Sequence, residues 1–595
     1  MEIYVENINQ LRDVLSKDYN EPVQIILKSG LYEIEEPVII SNKNNITIKG
    51  ESGTIFYGGK HLNFEKHSGN TYVADLSDIN IPKFQNRGCG FVPPEFSLMF
   101  YDGETPLTMS RYPKDSFYNI EKVVAGGTLE GEPSVFEYDD PEFDKFEDEK
   151  NLLLFGYFHW LWADATVKAY VNKDKKQVII DPPYFYSNIY NLSMVQGPKC
   201  YALNLLSQLS SEGEYYLDYG NKKVYVYSKN LPNVEATALK GNMFVFENSH
   251  KITMDNIIFD MGQGQCIKSL GCNYLTVKNC EIKRFSADAM EIKGGHKCSF
   301  INNDIHHFGR SGLEIEAGDF ETLTSCDFIV ENNKIHDVGI IDSTYTPCIH
   351  FVGVGLTIRG NELYNAPSSV LRLDGNDSLF EYNEVHDAVT ESDDQGTIDM
   401  FCNSAFRGNE FRYNFFHDNG VSASKIVTGC SGIRFDDIIS GQRVYKNVFV
   451  NSSKGHFGAV QINSGRDNVI KENLIMNGTS AFSGGFFYGN MAWSKEYDNA
   501  KPPYSALYLE RYPELKNCYD EKWEVKKDGY NIYGDNVIVN CDMVVSDKCY
   551  SDCERENCPD MHKDEIVINE EISLSEALSK IDFPKEFIEK FFCDL

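Results

Sequence analysis

Residues 328–335, FIVENNKI, contain a short alternating strand, two asparagines and a second apolar pair, and near copies of this phrase recur along the chain. The copies include LTIRGNEL at 356–363, LFEYNEV at 379–385 and VIKENLI at 469–475. The asparagines that align in the repeats are Asn256, Asn279, Asn303, Asn333, Asn361, Asn383, Asn414, Asn447 and Asn473. Short strands repeated at intervals above 20 residues, with almost no helical pattern, predict an all-β fold of stacked coils, the parallel β-helix.

Each repeat contains a second short strand, in which alternate residues face opposite sides of a sheet. Its apolar positions, such as Leu371 and Leu373, are predicted to fill the interior. The positions between them then form two outward columns. The first column consists of Glu291, Glu314, His350, Arg372, Asp399, Arg434 and Gln461, and the second of Lys293, Glu316, Val352, Asp374, Phe401, Asp436 and Asn463.

The middle of these columns is a candidate substrate-binding strip. Adjacent coils lie about 4.8 Å apart, so Arg372, Asp399 and Arg434 are predicted neighbours. Charges of both signs beside an aromatic ring favour a binding function, and the residues assigned to it are His350, Arg372, Asp374, Asp399, Phe401, Arg434 and Glu316. The alternative is that these residues form cross-strand ion pairs that serve stability alone.

Two acidic pairs at the edges of consecutive strands are the candidate catalytic residues. They are Asp393-Asp394 in SDDQGTID (392–399) and Asp436-Asp437 in GIRFDD (432–437), which lie one coil apart. Carboxyl groups forced together in a partly dry site divide into a protonated and an ionised form. A glycoside hydrolase needs one of each. The alternatives are solvated corner residues and a calcium site.

Composition and charge exclude several classes of partner. The 595 residues include 56 basic and 89 acidic side chains, and the net charge of −33 disfavours binding to nucleic acid or an anionic membrane. The start MEIYVENINQ lacks the features of a secretory signal, and the 16 cysteines show no framework spacing. We therefore predict a cytoplasmic protein with reduced thiols.

The repeat pattern also divides the chain. Residues 1–64, with the amphipathic helix INQLRDVLSK at 8–17, are predicted to cap the β-helix and form its first coils. Residues 65–240 interrupt the repeat as an inserted β-rich domain. Residues 241–485 form the core that carries the site, and residues 486–595 form a C-terminal extension with a short helix.

Two further residue patterns receive structural interpretations. Cys549, Cys553, Cys558 and His562, with Cys541 nearby, match no standard zinc spacing, so free thiols are favoured over a metal site. The pairs His336-Asp337, His386-Asp387 and His417-Asp418 follow the repeated phrase at equal offsets, and we interpret them as turn residues. The tryptophans Trp160, Trp162 and Trp493 are candidate walls for sugar rings, or core residues.

Several of these segments resemble a known family. They are IILKSGLYEIEEPVII (25–40) with ITIKGE (46–51), DGETPLTMSRYP (102–113), GEYYLDYGNKKVYVY (213–227), SDDQGTID and GIRFDDIISG. Together with the repeat, over about residues 1–480, they resemble right-handed parallel β-helix glycoside hydrolases, and most nearly glycoside hydrolase family 141, which includes α-L-fucosidases and xylanases.

The resemblance implies a right-handed β-helix and specific catalytic acids. The family's Asp-Gly-Gly-Ala-Ile and Leu-Asp-Asp/Glu-Gly segments fall on Asp394, with Asp393 as the alternative, and on Asp436-Asp437. This sequence departs from the family pattern with Gln395, Thr397 and Ile438, and with Asp399 and Arg434 at positions that are often aromatic or neutral in the family. These departures bear on the substrate rather than on the acid pair.

We therefore expect a glycosidase that cleaves plant cell-wall-type or similar oligosaccharides with two carboxylates and no cofactor. One alternative is a pectin-type lyase, in which Asp374, Asp399 and Asp436 hold calcium and Arg372 or Arg434 is the base. Another is a polygalacturonase, whose Gly-His-Gly segment has only KGHFG (454–458) as a counterpart here. The third is a carbohydrate-binding solenoid without catalysis.

Overall fold

The computed structural model describes residues 1–90, 97–128, 131–181, 198–420, 428–486, 493, 505–518, 520, 526, 529–546 and 561–593. Three long sheets of parallel strands run the length of the molecule, and each coil contributes one strand to each sheet. One coil, for example, consists of Leu356–Arg359, Glu362–Ala366 and Leu371–Asn376. The predicted parallel β-helix is therefore confirmed, with three strands in each coil.

The first sheet begins in the N-terminal cap and ends near the C-terminus. Its strands are Glu2–Val5, Val23–Leu27, Asn44–Gly50, His250–Asp255, Thr276–Lys278, Ser299–Ile301, Phe328–Glu331, Leu356–Arg359, Leu379–Glu381, Glu410–Arg412, Arg443–Tyr445, Val469–Lys471, Ile532–Gly534 and Met561–Lys563. The second sheet consists of Gly30–Glu33, Thr54–Tyr57, Ile258–Gly262, Glu281–Phe285, Asp304–Phe308, Lys334–His336, Glu362–Ala366, Glu384–Ala388, Phe415–His417, Val448–Val450, Leu474–Met476, Val537–Val539 and Ile566–Ile568.

The third sheet carries the candidate site. Its parallel strands are Val38–Ser41, Phe244–Glu247, Ile267–Leu270, Met290–Lys293, Leu313–Ala317, Ile349–Val354, Leu371–Asn376, Gln395–Phe401, Gly429–Asp436, Val460–Asn463, Ser480–Gly485 and Met543–Ser546, and Ser453–Gly455 pairs antiparallel to Gly429–Asp436. The apolar positions of these strands are buried in one continuous core, as the alternation predicts. Leu371, Ile398 and Ile433, for example, follow one another in register on successive coils.

Buried asparagines form a ladder along one corner of the coils. The Asn383 amide donates to Ile358 O and to Asn414 Oδ1, and the Asn383 backbone N–H donates to the same oxygen. The ladder comprises Asn303, Asn333, Asn361, Asn383, Asn414, Asn447, Asn473 and Asn536. The alignment of Asn256 and Asn279 with this ladder was wrong. Both occupy left-handed corners one position earlier, where their φ angles are 55° and 53°.

The N-terminal helix and an insertion complete the first coils. Helix Ile8–Ser16 buries Leu11, Val14 and Leu15 against the β-helix core, so it covers the open end of the coils. The chain then leaves the coils after Tyr57 and returns at Phe244. In between it forms sheets of the strands Gly59–His61, Phe64–Ser68, Thr71–Asp75, Phe100–Asp102, Thr105–Pro106, Thr108–Met109, Arg111–Tyr112, Tyr118–Asn119, Lys122–Gly126, Ser134–Glu137, Leu153–Tyr157, Ala165–Asn172, Gln177–Ile180, Lys199–Leu203, Glu214–Asp218, Lys223–Tyr227 and Val234–Thr237, with 3₁₀ turns at Pro141–Phe146 and Leu206–Gln208.

The coils continue beyond residue 485. The strands from Ile532–Gly534 to Ile566–Ile568 extend all three sheets, after an excursion that includes helix Ala506–Arg511 and the 3₁₀ turn Pro513–Asn517. Helices Leu574–Leu578 and Lys585–Phe591 then pack on the outside of the second sheet through Leu578 and Phe587. Within the described part of the chain, no helix is long and apolar enough to cross a membrane.

A column of stacked rings lies on the outer face of the second sheet. It comprises His306, His336, Tyr364, His386 and His417, with centroids 4.4–5.0 Å apart and nearly parallel planes. The adjacent aspartates Asp337, Asp387 and Asp418 take left-handed conformations at the corners, which fits the interpretation of the His-Asp pairs as turn residues. His336 lies between carboxylates, with Nε2 3.1 Å from Asp304 and Nδ1 2.5 Å from Asp337.

We expect the free energy of unfolding to decrease between about pH 6.5 and pH 9, and to decrease less in His336→Phe. Burial alone would lower the pKa of His336, but the hydrogen bonds to Asp304 and Asp337 raise this pKa to about 9. Because the folded protein holds the proton more tightly than the unfolded chain, this contribution is complete below pH 6.5 and is lost as the pH rises through 9. Urea unfolding midpoints across this range test the effect, and parallel pH profiles for the two proteins would contradict it.

Candidate active site

The register of the third sheet brings the predicted strip together. Arg372 pairs with Asp399, and Asp399 pairs with Arg434 on the next coil. Phe401 pairs in register with Asp436. Because the interior positions are fully occupied by apolar side chains, these residues are directed outward from the coils. The sheet therefore gathers charged residues from three successive coils.

Arg434 is the centre of the site. Its Nη2 lies 2.9 Å from Asp394 Oδ1 and 3.0 Å from Asp436 Oδ2. Its Nη1 donates to the Asp394 carbonyl oxygen at 3.0 Å and approaches Asp399 Oδ2 at 3.5 Å. The Phe457 ring covers the guanidinium group at 5.3 Å. One buried cation therefore links carboxylates from both predicted acidic pairs.

Asp394 lies at the rim, immediately before strand Gln395–Phe401. Its backbone is left-handed (φ 62°), which is uncommon for a residue other than glycine, and its N–H donates to Asp393 Oδ1 at 2.7 Å. Burial raises the pKa of Asp394 to about 6, and the nearby Asp436 carboxylate adds to the increase while Arg434 opposes it. Asp394 is therefore suited to donate a proton in mildly acidic solution.

Asp436 ends the neighbouring strand, and its carboxylate accepts hydrogen bonds on both oxygens. Oδ1 receives Asn463 Nδ2 and the Asp437 N–H, both at 3.0 Å, while Oδ2 is bound to Arg434. The same Asn463 Nδ2 also donates a hydrogen bond to the Asp437 carboxylate, at 2.8 Å. The chain then turns through a left-handed conformation at Ile438 (φ 66°), which is uncommon for a β-branched residue.

The surroundings of Asp393 indicate a role in holding the backbone rather than in catalysis. Its side chain is buried and accepts the backbone N–H groups of Gly429 at 2.8 Å and Thr428 at 3.2 Å. It therefore fixes the start of the strand that carries Arg434 and Asp436. Asp399 is also buried, and it accepts the Gly396 N–H at 3.1 Å. Burial raises the pKa of Asp399, while Arg434 and Arg372 oppose this increase.

A second charged group lies along the same strip. His350 Nδ1 is 2.8 Å from Glu314 and its Nε2 is 3.2 Å from Asp374. Burial would lower the pKa of His350, but these two hydrogen bonds raise it to about 9, so the imidazole is charged at neutral pH. Arg372 lies 3.5 Å from Asp374 and 4.4 Å above the Tyr345 ring.

The two remaining predicted binding residues lie at the edges. Phe401 is 42% exposed beside Asp436, so its ring is accessible to solvent and to a ligand. Glu316 is exposed and pairs in register with Lys293 and Val352. Two coils separate Glu316 from Asp374, which distances it from the Arg434 cluster.

Sequence reasoning missed the groups that come from other segments. Tyr345 lies in a loop with no repeat pattern, and Glu391 accepts the Tyr157 hydroxyl of the inserted domain at 2.8 Å. Burial raises the pKa of Glu391. The acidic run Glu391–Asp394 was the one sequence signal that pointed to Glu391. Contacts between the inserted domain and the coils leave no periodic pattern in the sequence.

The sequence suggested two candidate metal sites, the cysteine pattern that ends at His562 and the acidic residues of the strip. Cys549, Cys553 and Cys558 lie outside the described residues, as does the side chain of His562. Among the side chains that the structure does describe, no group of three or more His, Cys, Asp or Glu residues is arranged to bind a metal ion. In the strip, the Arg434 guanidinium occupies the space between Asp394, Asp399 and Asp436 where a cation would have to bind.

Comparisons with known proteins agree with the fold. A family described as "Right handed beta helix region" matches residues 226–346, in support of the predicted right-handed parallel β-helix. No curated protein sequence matches the chain. A solved structure described as "Glycoside hydrolase" is similar over 82% of this chain and 91% of its own, with 13% identity and a TM-score of 0.55.

Two other solved structures are less similar. XylC in complex with xylose aligns over 96% of this chain and 86% of its own, with 13% identity and a TM-score of 0.48. The catalytic unit of a thermostable GH87 α-1,3-glucanase from Streptomyces thermodiastaticus aligns over 79% and 87%, with 10% identity and a TM-score of 0.31. At these identities the likeness is one of fold.

Proposed function

We propose that the protein is a glycoside hydrolase that cleaves plant cell-wall-type or similar oligosaccharides. The observation that carries this proposal is the pair Asp394 and Asp436, which share one nitrogen of Arg434 in the outward strip of the third sheet. The family resemblance makes α-L-fucosides, and side chains of xylan or pectin, the first substrates to examine. Because the chain is strongly acidic, nucleic acid and anionic membranes are not proposed as partners.

The spacing of the two carboxyl groups favours a retaining mechanism. Asp394 Oδ1 and Asp436 Oδ2 both lie within 3.0 Å of the same nitrogen, so these two oxygens are within about 6 Å of each other, which is compatible with the separation of about 5 to 5.5 Å between the carboxyl groups of retaining enzymes. Inverting enzymes need room for a water molecule and separate the two groups by about 6.5 to 9.5 Å.

The roles follow from the environment of each acid. Protonated Asp394 gives its proton to the glycosidic oxygen while Asp436 attacks the anomeric carbon, so the glycosidic bond breaks and a glycosyl ester forms. Asp394, now ionised, takes a proton from water, whose oxygen displaces Asp436 from the anomeric carbon. The second step returns both groups to their starting states.

The other strip residues would bind the sugar or hold the acids. The strip offers charged hydrogen-bonding groups from Arg372, His350 and Asp374. It also offers the exposed ring of Phe401. Asp399 and Asp393 would orient Arg434 and its strand. Asp437 lies one residue from the proposed nucleophile, and its carboxylate accepts a hydrogen bond from Asn463.

The lyase alternative receives less support. It needs Arg372 or Arg434 as a base, which requires a guanidinium that loses its proton easily. Burial favours that loss, but the neighbouring carboxylates outweigh it and raise the pKa of both arginines. Each guanidinium also lies against a carboxylate that calcium would need as a ligand.

We expect kcat/KM to decrease as the pH rises above about 6. The acid that protonates the leaving oxygen must carry its proton, and the pKa of Asp394 is raised to about 6. Initial rates on an oligosaccharide between pH 4 and pH 9 give the profile. A constant rate across that whole range would contradict the role of Asp394.

We also propose a cytoplasmic location. Cys266, Cys298 and Cys348, in the coils, are free thiols buried among apolar side chains. Such thiols suit a reducing compartment. Cytoplasmic substrates would be short oligosaccharides rather than polymers.

A further inference from the structure

Three aromatic side chains form one continuous surface beside the acid pair. Trp160 and Trp162 have nearly parallel rings, with centroids 6.3 Å apart and planes 9° apart. Tyr345 meets Trp162 edge-on at 5.7 Å, and its own face lies under the Arg372 guanidinium. We call Trp160, Trp162 and Tyr345 the aromatic wall. It connects the inserted domain with the charged strip.

The backbone ties the aromatic wall to the proposed acid. Leu161, which separates the two tryptophans, accepts the Asp393 N–H through its carbonyl oxygen at 3.2 Å. Asp393 in turn accepts the N–H of Asp394. The loop that carries the two indole rings is therefore anchored beside Asp394, from which a leaving group would receive its proton.

A buried carboxylate holds the two loops of the aromatic wall together. Asp164 accepts the Thr344 hydroxyl at 2.6 Å, the Ser343 N–H at 2.8 Å and the Cys89 N–H at 2.7 Å. These contacts join the loop with the tryptophans to the loop with Tyr345. The geometry is thus fixed by a network of hydrogen bonds rather than by apolar packing alone.

Exposure distinguishes the aromatic wall from a core cluster. Trp160 is 42% exposed and Trp162 is half-buried, whereas Trp493 is 3% exposed and donates its indole N–H to Ser464 O. Large aromatic rings held rigid and exposed beside polar groups are characteristic of ligand sites. The apolar face of a sugar ring matches such a surface in size and polarity.

We propose that the aromatic wall is the binding site for the sugar on the leaving-group side of the scissile bond. The inference rests on the proposed function and deepens it: the substrate is an oligosaccharide whose leaving group is itself a sugar, and the inserted domain helps to select it. A neutral sugar fits best, because the two indole rings offer no charge.

The test compares substrates with and without a leaving-group sugar. We expect Trp160→Ala to lower kcat/KM about tenfold on the best substrate from a panel of xylan, xyloglucan and pectin side-chain oligosaccharides. On the corresponding glycosyl fluoride, which has no leaving-group sugar, the rate should be unchanged. Trp160→Phe should recover most of the loss. Tyr170→Ala, which removes an exposed ring elsewhere in the inserted domain, is the matched control and should behave as wild type.

A binding measurement separates this inference from the proposed function. In the Asp394→Asn variant, titration calorimetry with the same oligosaccharide should show about tenfold weaker binding when Trp160→Ala is added. A different outcome is hydrolysis that depends on Asp394 while Trp160→Ala lowers the rate equally on the oligosaccharide and on the glycosyl fluoride. That result would overturn the proposed role of the aromatic wall and leave the proposed function standing. No turnover by wild type and no binding of any panel member would overturn both.

Discussion

Asp394→Asn is expected to lower kcat about 10³-fold on oligosaccharides while leaving the fold intact. The loss of a general acid usually removes a factor of about 10² to 10⁴. The asparagine oxygen can still accept a hydrogen bond from Arg434 Nη2, so the position of the Arg434 side chain is expected to be kept although the ion pair is lost. The measurement is kcat on an oligosaccharide and on a dinitrophenyl glycoside, whose leaving group needs little protonation and should recover much of the rate.

The control for Asp394→Asn is Asp418→Asn. Asp418 also has a left-handed backbone, but it follows strand Phe415–His417 at a corner of the second sheet and accepts a hydrogen bond from Asn451 Nδ2. It should retain wild-type turnover. Equal losses on the two kinds of leaving group, or an unfolded Asp394→Asn protein, would remove Asp394 from the acid role.

Asp436→Asn is expected to have an even larger effect, with turnover reduced about 10⁴-fold or more on every substrate. A good leaving group does not help here, because the amide cannot form the glycosyl ester. Asp437→Asn is the matched control: it changes the next residue, whose carboxylate binds Asn463, and should reduce turnover far less.

Rescue by azide distinguishes a nucleophile from a general base. In Asp436→Gly the missing side chain leaves room for azide, which should restore turnover and give a glycosyl azide of inverted configuration. If Asp437→Asn abolished turnover and Asp436→Asn did not, the roles of the two aspartates would have to be exchanged.

The sequence was sufficient for the fold and for the register of the strip. In a parallel sheet, residues alternate strictly between faces, and each coil repeats the last in register. The order Arg372, Asp399 and Arg434 therefore followed from alternation alone, and it matches the pairing in the structure. Seven of the eight asparagines in the buried ladder were identified for the same reason, and Asn536 was missed. Asn256 and Asn279 were included wrongly, because an Asn also suits the left-handed corner one residue earlier.

The internal geometry of the site lay beyond sequence reasoning. The binding of Arg434 to both Asp394 and Asp436 depends on side-chain directions at two strand ends, which no spacing encodes. The hydrogen bond from Asp393 to Leu161 joins residues that are 232 positions apart in the sequence. The last coils escaped detection because a long excursion separates Leu474–Met476 from Ile532–Gly534 and hides the repeat.

The most direct test of the account is the product of the reaction, followed by proton NMR in the presence of a calcium chelator. We expect a saturated sugar whose first-formed anomer has the configuration of the substrate, because the proposed mechanism, with Asp394 as the acid and Asp436 as the nucleophile, retains that configuration. An unsaturated product, or turnover that stops when calcium is removed, would contradict the two-carboxylate mechanism.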